Sequence, residues 1–280
     1  MQVRERIDKN SDGFTSAERR LSSALLADYP FLGLEPIQEL SKKTKISAAS
    51  ISRFVNKIGF QGFQEFQRQL IEELKERQRS PIDLHETRHP ARSDYFSDFV
   101  TRANDLMTTS AEAITIAQFD RLSELIGDER RKVFVIGGRI SDTIAQYFSR
   151  HLRQIRPDVY HLPADPEAWP DYLLRMKPKD LLIVVDFRRY QSNLASLAEH
   201  ATLHNKTHVI LFTDKWLSPI AGNAREVIAL PIESGTLWDS YVGAFALIEA
   251  MLARAAELNW DKTRRRIQKW DSMRLNTEDK

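Results

Sequence analysis

The sequence predicts an all-α head followed by an α/β domain whose parallel sheet is covered on both faces. Three observations carry this reading. Apolar residues between Leu40 and Ile58 recur at the three-to-four-residue spacing of helix faces. From residue 132 onward, short and nearly continuous apolar runs alternate with amphipathic stretches, the pattern of buried parallel strands and crossover helices. Between the two regions, residues 78–92 lose all periodicity and mix two prolines with charges. The expected division is a head over residues 1–77, a linker over 78–93, a second domain over 94–260 and a basic tail over 261–280.

The head is built around a helix, a tight turn and a second helix in residues 37–59. Leu40, Ile46, Ile51, Phe54, Val55 and Ile58 are the expected core. Ser47 is suited to cap the second helix, which leaves Ala48, Ser50, Ser52, Arg53, Asn56 and Lys57 pointing outward. With Lys42 and Lys43 these nine residues are candidates for contact with phosphates and base edges of double-stranded DNA. From Leu40 to Gln64 there is no acidic residue, although the net charge of the whole chain is only +2. A local positive surface of this kind is the footprint of a nucleic-acid binder. A solvated amphipathic hairpin would show the same helical spacing. Gly59 is placed to end the second helix in a left-handed conformation. Phe60, Phe63 and Phe66, at helical spacing, are expected to fold back as core.

The second domain should open with a helix over residues 95–117, whose stripe of Phe96, Phe99, Val100, Ala103, Leu106 and Met107 packs on that domain. Strands are expected at 132–137, 180–186, 207–213 and 226–231, with a weaker one at 159–162, and helices at 142–154, 191–204 and 237–258. Ligands of such sheets bind beyond the carboxyl ends of the strands. After the first strand, Gly137 and Gly138 allow close approach to the main chain, Arg139 offers a forked cation and Ser141 a hydroxyl at a helix start. A tight strand-to-helix turn would need the glycines for backbone reasons alone. After the third strand come Arg188, Arg189 and Tyr190, fit to hold a phosphate or carboxylate, or to face solvent or an interface. Ser234 and Thr236, around Gly235, either complete this site or cap the last long helix. That helix presents Tyr241, Phe245, Ile248 and Leu252 to the core or to a dimer partner.

Residues 14–21, 37–45, 47–54 and 57–63, in that order, resemble the RpiR family of bacterial transcription regulators. Arg53-Phe54 followed by Gly59-Phe60-Gln61-Gly62-Phe63 is the most distinctive part. Residues 133–141, 181–186 and 209–214 resemble the SIS domain, the sugar-isomerase module that this family carries after its DNA-binding head. The resemblance implies a helix-turn-helix bundle joined to a SIS-type three-layer αβα domain. It also implies operator DNA and a carbohydrate-derived effector, phosphorylated or acidic, as partners of a homodimer or homotetramer. Asp186-Phe187-Arg188-Arg189-Tyr190 departs from the family, whose phosphosugar binders have a Ser-rich stretch here, and this leaves the effector's identity open.

Other classes are narrowed by composition. At 280 residues, 42% apolar and 29% charged, the chain is an ordinary globular sequence with room for two cores. Having no cysteine, it can form no disulfide, iron–sulfur cluster, thiol-ligated zinc site or thiol redox sensor. It shows neither a signal-peptide pattern nor an apolar run near the roughly 20 residues that span a bilayer, so a cytoplasmic protein is expected. No cofactor, metal or catalytic residue is expected. His200, His204 and His208 read as a solvated helix face, and Glu233 and Glu249 stand outside any acid–base constellation. The alternative is a sugar-phosphate isomerase or sugar-binding enzyme with an accessory basic head. The basic run at 262–269 reads as a frayed helix.

Overall fold

The computed structural model describes residues 2–78, 81–86 and 94–273. The chain divides into two compact units, Met1–Arg79 and Ser80–Lys280. Within the segment read as linker, residues 81–86 form a short helix, while residues 79–80 and 87–93 lie outside the described residues, as do 274–280 of the tail.

The head comprises α1 (Val3–Asn10), α2 (Ser16–Ala27), α3 (Phe31–Leu34), α4 (Ile37–Thr44), α5 (Ala48–Lys57) and α6 (Phe63–Gln78). Thr15 and Glu18 form a reciprocal capping box at α2. Lys45, at φ 55°, ends α4 in the left-handed region, and the Ser47 hydroxyl accepts from the Ser50 amide to start α5. Leu40, Ile46, Ile51, Phe54, Val55 and Ile58 are buried together with Phe60 and Phe66, and Phe63 is half-buried beside them. Gly59 has φ +92°. The first helix has only two apolar residues in eight, too few for its periodicity to be read, yet Val3 and Ile7 are both buried. Buried Glu73 on α6 accepts from the Val3 amide at 2.8 Å and from the Tyr29 hydroxyl, which ties α1 to the bundle.

The second unit runs α7 (Pro81–Glu86), α8 (Tyr95–Glu112), α9 (Ile116–Gly127), β1 (Val133–Gly137), α10 (Asp142–Ile155), β2 (Val159–His161), α11 (Trp169–Leu173), β3 (Leu181–Val185), α12 (Ser192–Leu203), β4 (His208–Asp214), β5 (Glu226–Leu230), α13 (Val242–Leu258) and α14 (Trp260–Ser272). The five strands form one parallel sheet in the order β2-β1-β3-β4-β5. Alternate residues serve opposite faces. Val133 and Val135 pack with α9, α10 and α13, whereas Phe134 and Ile136 pack with Trp169 and α12, giving three layers. Fully buried Arg156 donates to the carbonyls of Ile126, Asp128, Pro157 and Arg131, which offsets its desolvation.

Three expectations are corrected. The single helix expected over 95–117 is two, because Thr115 takes an extended conformation and caps α9 through the Gln118 amide. Of the apolar stripe on α8 only Leu106 is buried; Phe96, Val100 and Met107 are exposed. The last long helix starts at Val242 instead of residue 237. Before it, the Ser240 amide bonds the Ile232 carbonyl, and the Ser234 and Thr236 hydroxyls both bond the Trp238 carbonyl. Those hydroxyls therefore hold an irregular loop and do not cap a helix. Tyr241, Phe245, Ile248 and Leu252 pack in the core of the sheet. The expected frayed basic helix is α14, anchored by buried Thr263 and by Arg266 donating to the Arg153 carbonyl at 2.6 Å.

Candidate functional site

On the head, three residues of the expected DNA-facing set are linked by hydrogen bonds. The Ser47 and Ser50 hydroxyls lie 2.9 Å apart, and the Arg53 guanidinium donates to Ser50 Oγ at 3.1 Å. The one-turn spacing of these residues along α5 makes the contacts possible and restrains the Arg53 fork before any ligand arrives. Arg53 and Asn56 are exposed, and Ala48, Ser50 and Ser52 are half-exposed on the same helix. Lys42 and Lys43 on α4 are exposed and pair with Glu39, at 2.7 Å, and with Glu35. Exposed pairs of this kind are worth little and exchange readily for phosphate. Lys57 is different, because its ammonium donates to the Gly13 carbonyl at 2.7 Å and to Glu18 at 2.8 Å and lies over the Phe14 ring. The Lys57 hydrogen bond is the main cause holding the Glu18 carboxyl below its ordinary pKa. Lys57 thus clamps α5 to the start of α2.

In the second unit, the chain leaves β1 and β3 toward opposite edges of the sheet, so the crevice between their carboxyl ends is its topological switch point. Gly137 is required by the backbone, since a Cβ there would stand 2.6 Å from the Asp142 main chain. Its amide donates to Asp142 Oδ1 at 3.0 Å within the turn, and that of Gly138 donates to the Val185 carbonyl at 3.0 Å at the end of β3. The tight-turn reading of the glycine pair therefore describes their main-chain role. Gly138 lies where the loops meet: a Cβ would be 3.4 Å from Asp186 Oδ1 and 3.8 Å from both Ser141 Oγ and Gln191 Oε1. Ser141 is buried at the start of α10, with no capping bond from its side chain. Arg139 is exposed, as is Arg189 on the facing loop.

Arg188 does not face solvent. Its guanidinium is buried, pairs with Asp239 through two nitrogens, one at 2.9 Å, and lies 4.3 Å over the Trp216 ring. Burial works to lower its pKa, but the Asp239 hydrogen bond outweighs this and the pKa is raised. The protein's own carboxylate therefore fills the fork that the sequence offers to an anion, to solvent or to an interface. Tyr190 donates its hydroxyl to Asp214, which also accepts from the Arg188 amide at 2.6 Å and the Trp216 amide at 3.0 Å. Burial pushes the Asp214 carboxyl up in pKa against these donors.

Sequence reasoning missed the part played by the carboxylates. Asp142 accepts from Gly137 N, from Gln146 Nε2 at 3.1 Å, and meets His161 Nε2 at 2.8 Å. Burial opposes its charge, but the His161 and Gln146 hydrogen bonds prevail and hold its pKa low. Asp186 accepts from the Ser218 hydroxyl at 2.6 Å, linking the loops after β3 and β4. Asp186 and Asp214 stand at the carboxyl ends of two apolar runs, a signal visible in the sequence. Glu233 pairs with Lys215 at 2.6 Å, and the Tyr147 hydroxyl bonds Glu249 at 2.8 Å. His200 on α12 stacks with His204 just past the end of that helix, and no group of three metal-ligating side chains occurs among the described residues. Among those residues no helix is long and apolar enough to cross a membrane.

Comparison with known proteins agrees with both units. Residues 1–77 match the helix-turn-helix domain of the rpiR family, and residues 126–254 match the SIS domain. A Haemophilus influenzae protein described as an uncharacterized HTH-type transcriptional regulator is 24% identical over 91% of each chain. A Clostridium perfringens protein of the same description is 23% identical over 48% of this chain and 49% of its own length. The Vibrio vulnificus NanR protein complexed with ManNAc-6P shares the fold, with a TM-score of 0.54 and 18% identity over 97% of both chains. So does the sugar isomerase domain of an RpiR transcription factor from Sphaerobacter thermophilus, with a TM-score of 0.57 and 18% identity over 63% of this chain and 98% of that one. With the two modules matched in order, this chain belongs to the RpiR family of helix-turn-helix regulators that carry a SIS domain.

Proposed function

We propose that the chain is a DNA-binding transcription regulator whose SIS domain senses a carbohydrate-derived, phosphorylated or acidic metabolite. The observation that carries the reading is the outward face of α5, where Ser47, Ser50 and Arg53 form a hydrogen-bonded line and α5 itself bears no acidic residue. A guanidinium held in this way reads the acceptors of a guanine edge with less entropy to lose. Lys42 and Lys43 supply sequence-blind phosphate contacts. The effector lies in the β1/β3 crevice, where Arg139 and Arg189 provide charge and Ser141 a hydroxyl, while Arg188, Tyr190, Ser234 and Thr236 hold the loops in place. Binding of a sugar phosphate by a neighbour of the same fold supports this choice of effector class. Asp142, Asp186 and Asp214 all accept hydrogen bonds that shape these loops, an architectural use that favours a sensor over an isomerase. Such a regulator acts on a palindromic operator as a symmetric oligomer in the cytoplasm.

The test is a mobility shift with DNA from the protein's own gene neighbourhood in excess competitor. Wild type should bind one fragment specifically, and Arg53→Ala should lose that preference. Turnover of a phosphosugar with sequence-blind DNA binding would instead favour the enzyme.

A further inference from the structure

Helix α14 differs in charge from the unit that carries it. Residues 80–280 hold slightly more acidic than basic side chains, whereas Trp260–Ser272 carries five basic residues against two acidic ones. The helix is fixed in place, since Thr263 is buried and Arg266 donates to the Arg153 carbonyl of α10 at 2.6 Å. With that side turned inward, Asp261, Arg264, Arg265, Gln268, Lys269 and Ser272 form an exposed stripe, advancing by alternate steps of three residues and one. Among the described residues no carboxylate pairs with Arg264, Arg265 or Lys269, although Lys262 on the flank reaches Glu129 at 3.4 Å. The helix itself does not call for these cations. Lys269 in its last turn suits the macrodipole, but Arg264 and Arg265 lie in its first half. The neighbouring end of α10 adds exposed Arg150 and Arg153.

We propose that this stripe is a second contact for the phosphate backbone of double-stranded DNA, with Arg264, Arg265 and Lys269 as its cations. The inference rests on the reading of the chain as a DNA binder and adds a contact on the second unit. The three side chains are rooted within about 8 Å of helix axis, a length that faces two or three successive phosphates of one strand, which recur every ~3.4 Å. Phosphate contacts of this kind add affinity and fix position but carry no sequence preference. An anionic bilayer is the poorer fit. Interfacial helices bury an apolar face, and this outward stripe has none, Trp260 and Trp270 standing off it by about a third of a turn or more.

The test is anisotropy of two labelled duplexes of equal length, a fragment of the gene neighbourhood and a scrambled version of it, titrated with the full chain over a salt series. The triple variant Arg264→Gln, Arg265→Gln, Lys269→Gln should weaken binding to both duplexes by the same factor, about tenfold or more, and lower the slope of log affinity against log salt by about three. The double variant Arg264→Lys, Arg265→Lys should keep the wild-type slope, because a phosphate accepts either cation. Circular dichroism should be unchanged in both variants, as these side chains are exposed. Equal binding of the two duplexes by wild type would sink the operator reading alone, since the α14 comparison is still read on both. A triple variant with wild-type affinity and slope overturns the α14 proposal, and wild-type binding to phosphatidylserine vesicles that the variant loses would then assign the stripe to a membrane. A loss confined to one duplex overturns it as well, as does a wild type that binds neither.

Discussion

Replacing Asp142 by alanine should loosen the loop at the centre of the proposed effector site. The carboxylate accepts from the Gly137 amide at 3.0 Å, from Gln146 at 3.1 Å, and bonds His161 at 2.8 Å, with its side chain 19% exposed. Leaving the Gly137 amide without a partner costs about 1–3 kcal/mol, and the two contacts nearer solvent add about 0.5–1 kcal/mol each, for a total of about 3 kcal/mol. All five tryptophans lie at residue 169 or beyond, so tryptophan fluorescence during urea unfolding reads the second unit alone. The variant's midpoint should fall at pH 7 with an unchanged urea slope. A carboxyl whose folded pKa is depressed stabilises above its unfolded value, 3.8 here, and loses that contribution as pH falls through the folded value. The gap between wild type and variant should therefore be complete at pH 7 and shrink below about pH 4. A loss under about 0.5 kcal/mol at pH 7, or a gap that widens in acid, would refute the idea that Asp142 fastens the loop.

Three further outcomes are expected. Gly137→Ala drives a Cβ against the Asp142 main chain and should cost about 2–4 kcal/mol by the same fluorescence assay. Arg139→Ala should reduce thermal stabilisation by sugar phosphates while leaving DNA affinity within about twofold, because the two sites are on separate units. Lys57→Ala should weaken DNA binding and lower head stability together, since Lys57 bonds Gly13 and Glu18, whereas Arg53→Ala should lower binding alone and reduce the salt slope by about one.

The sequence disclosed what local periodicity controls. Buried Ile51, Phe54, Val55 and Ile58 repeat on one face of α5, and the strands β1, β3 and β4 are apolar throughout, so the head core and the sheet were legible. What escaped depends on partners distant in sequence. The sparse helix α1 is fixed by Glu73, 70 residues away, and Arg188 is drawn inward by Asp239, 51 residues away. The break between α8 and α9 turns on one capping threonine within an otherwise apolar pattern. At the site, the residue types were visible but their engagement was not. No local pattern distinguishes a guanidinium that awaits an anion from one already paired. The Gly137 turn and the Ser47 cap were readable because their causes lie within a few residues.

In the proposed function one chain reads DNA with its head and a sugar-derived anion with its sheet. Fluorescence anisotropy of labelled operator DNA, titrated with the full chain in the presence and absence of a panel of sugar phosphates and sugar acids, tests this most directly. Binding well above that to competitor DNA is expected, and one member of the panel should change it by about tenfold or more. Affinity equal to that for competitor across the gene neighbourhood, unmoved by every member of the panel, would contradict it.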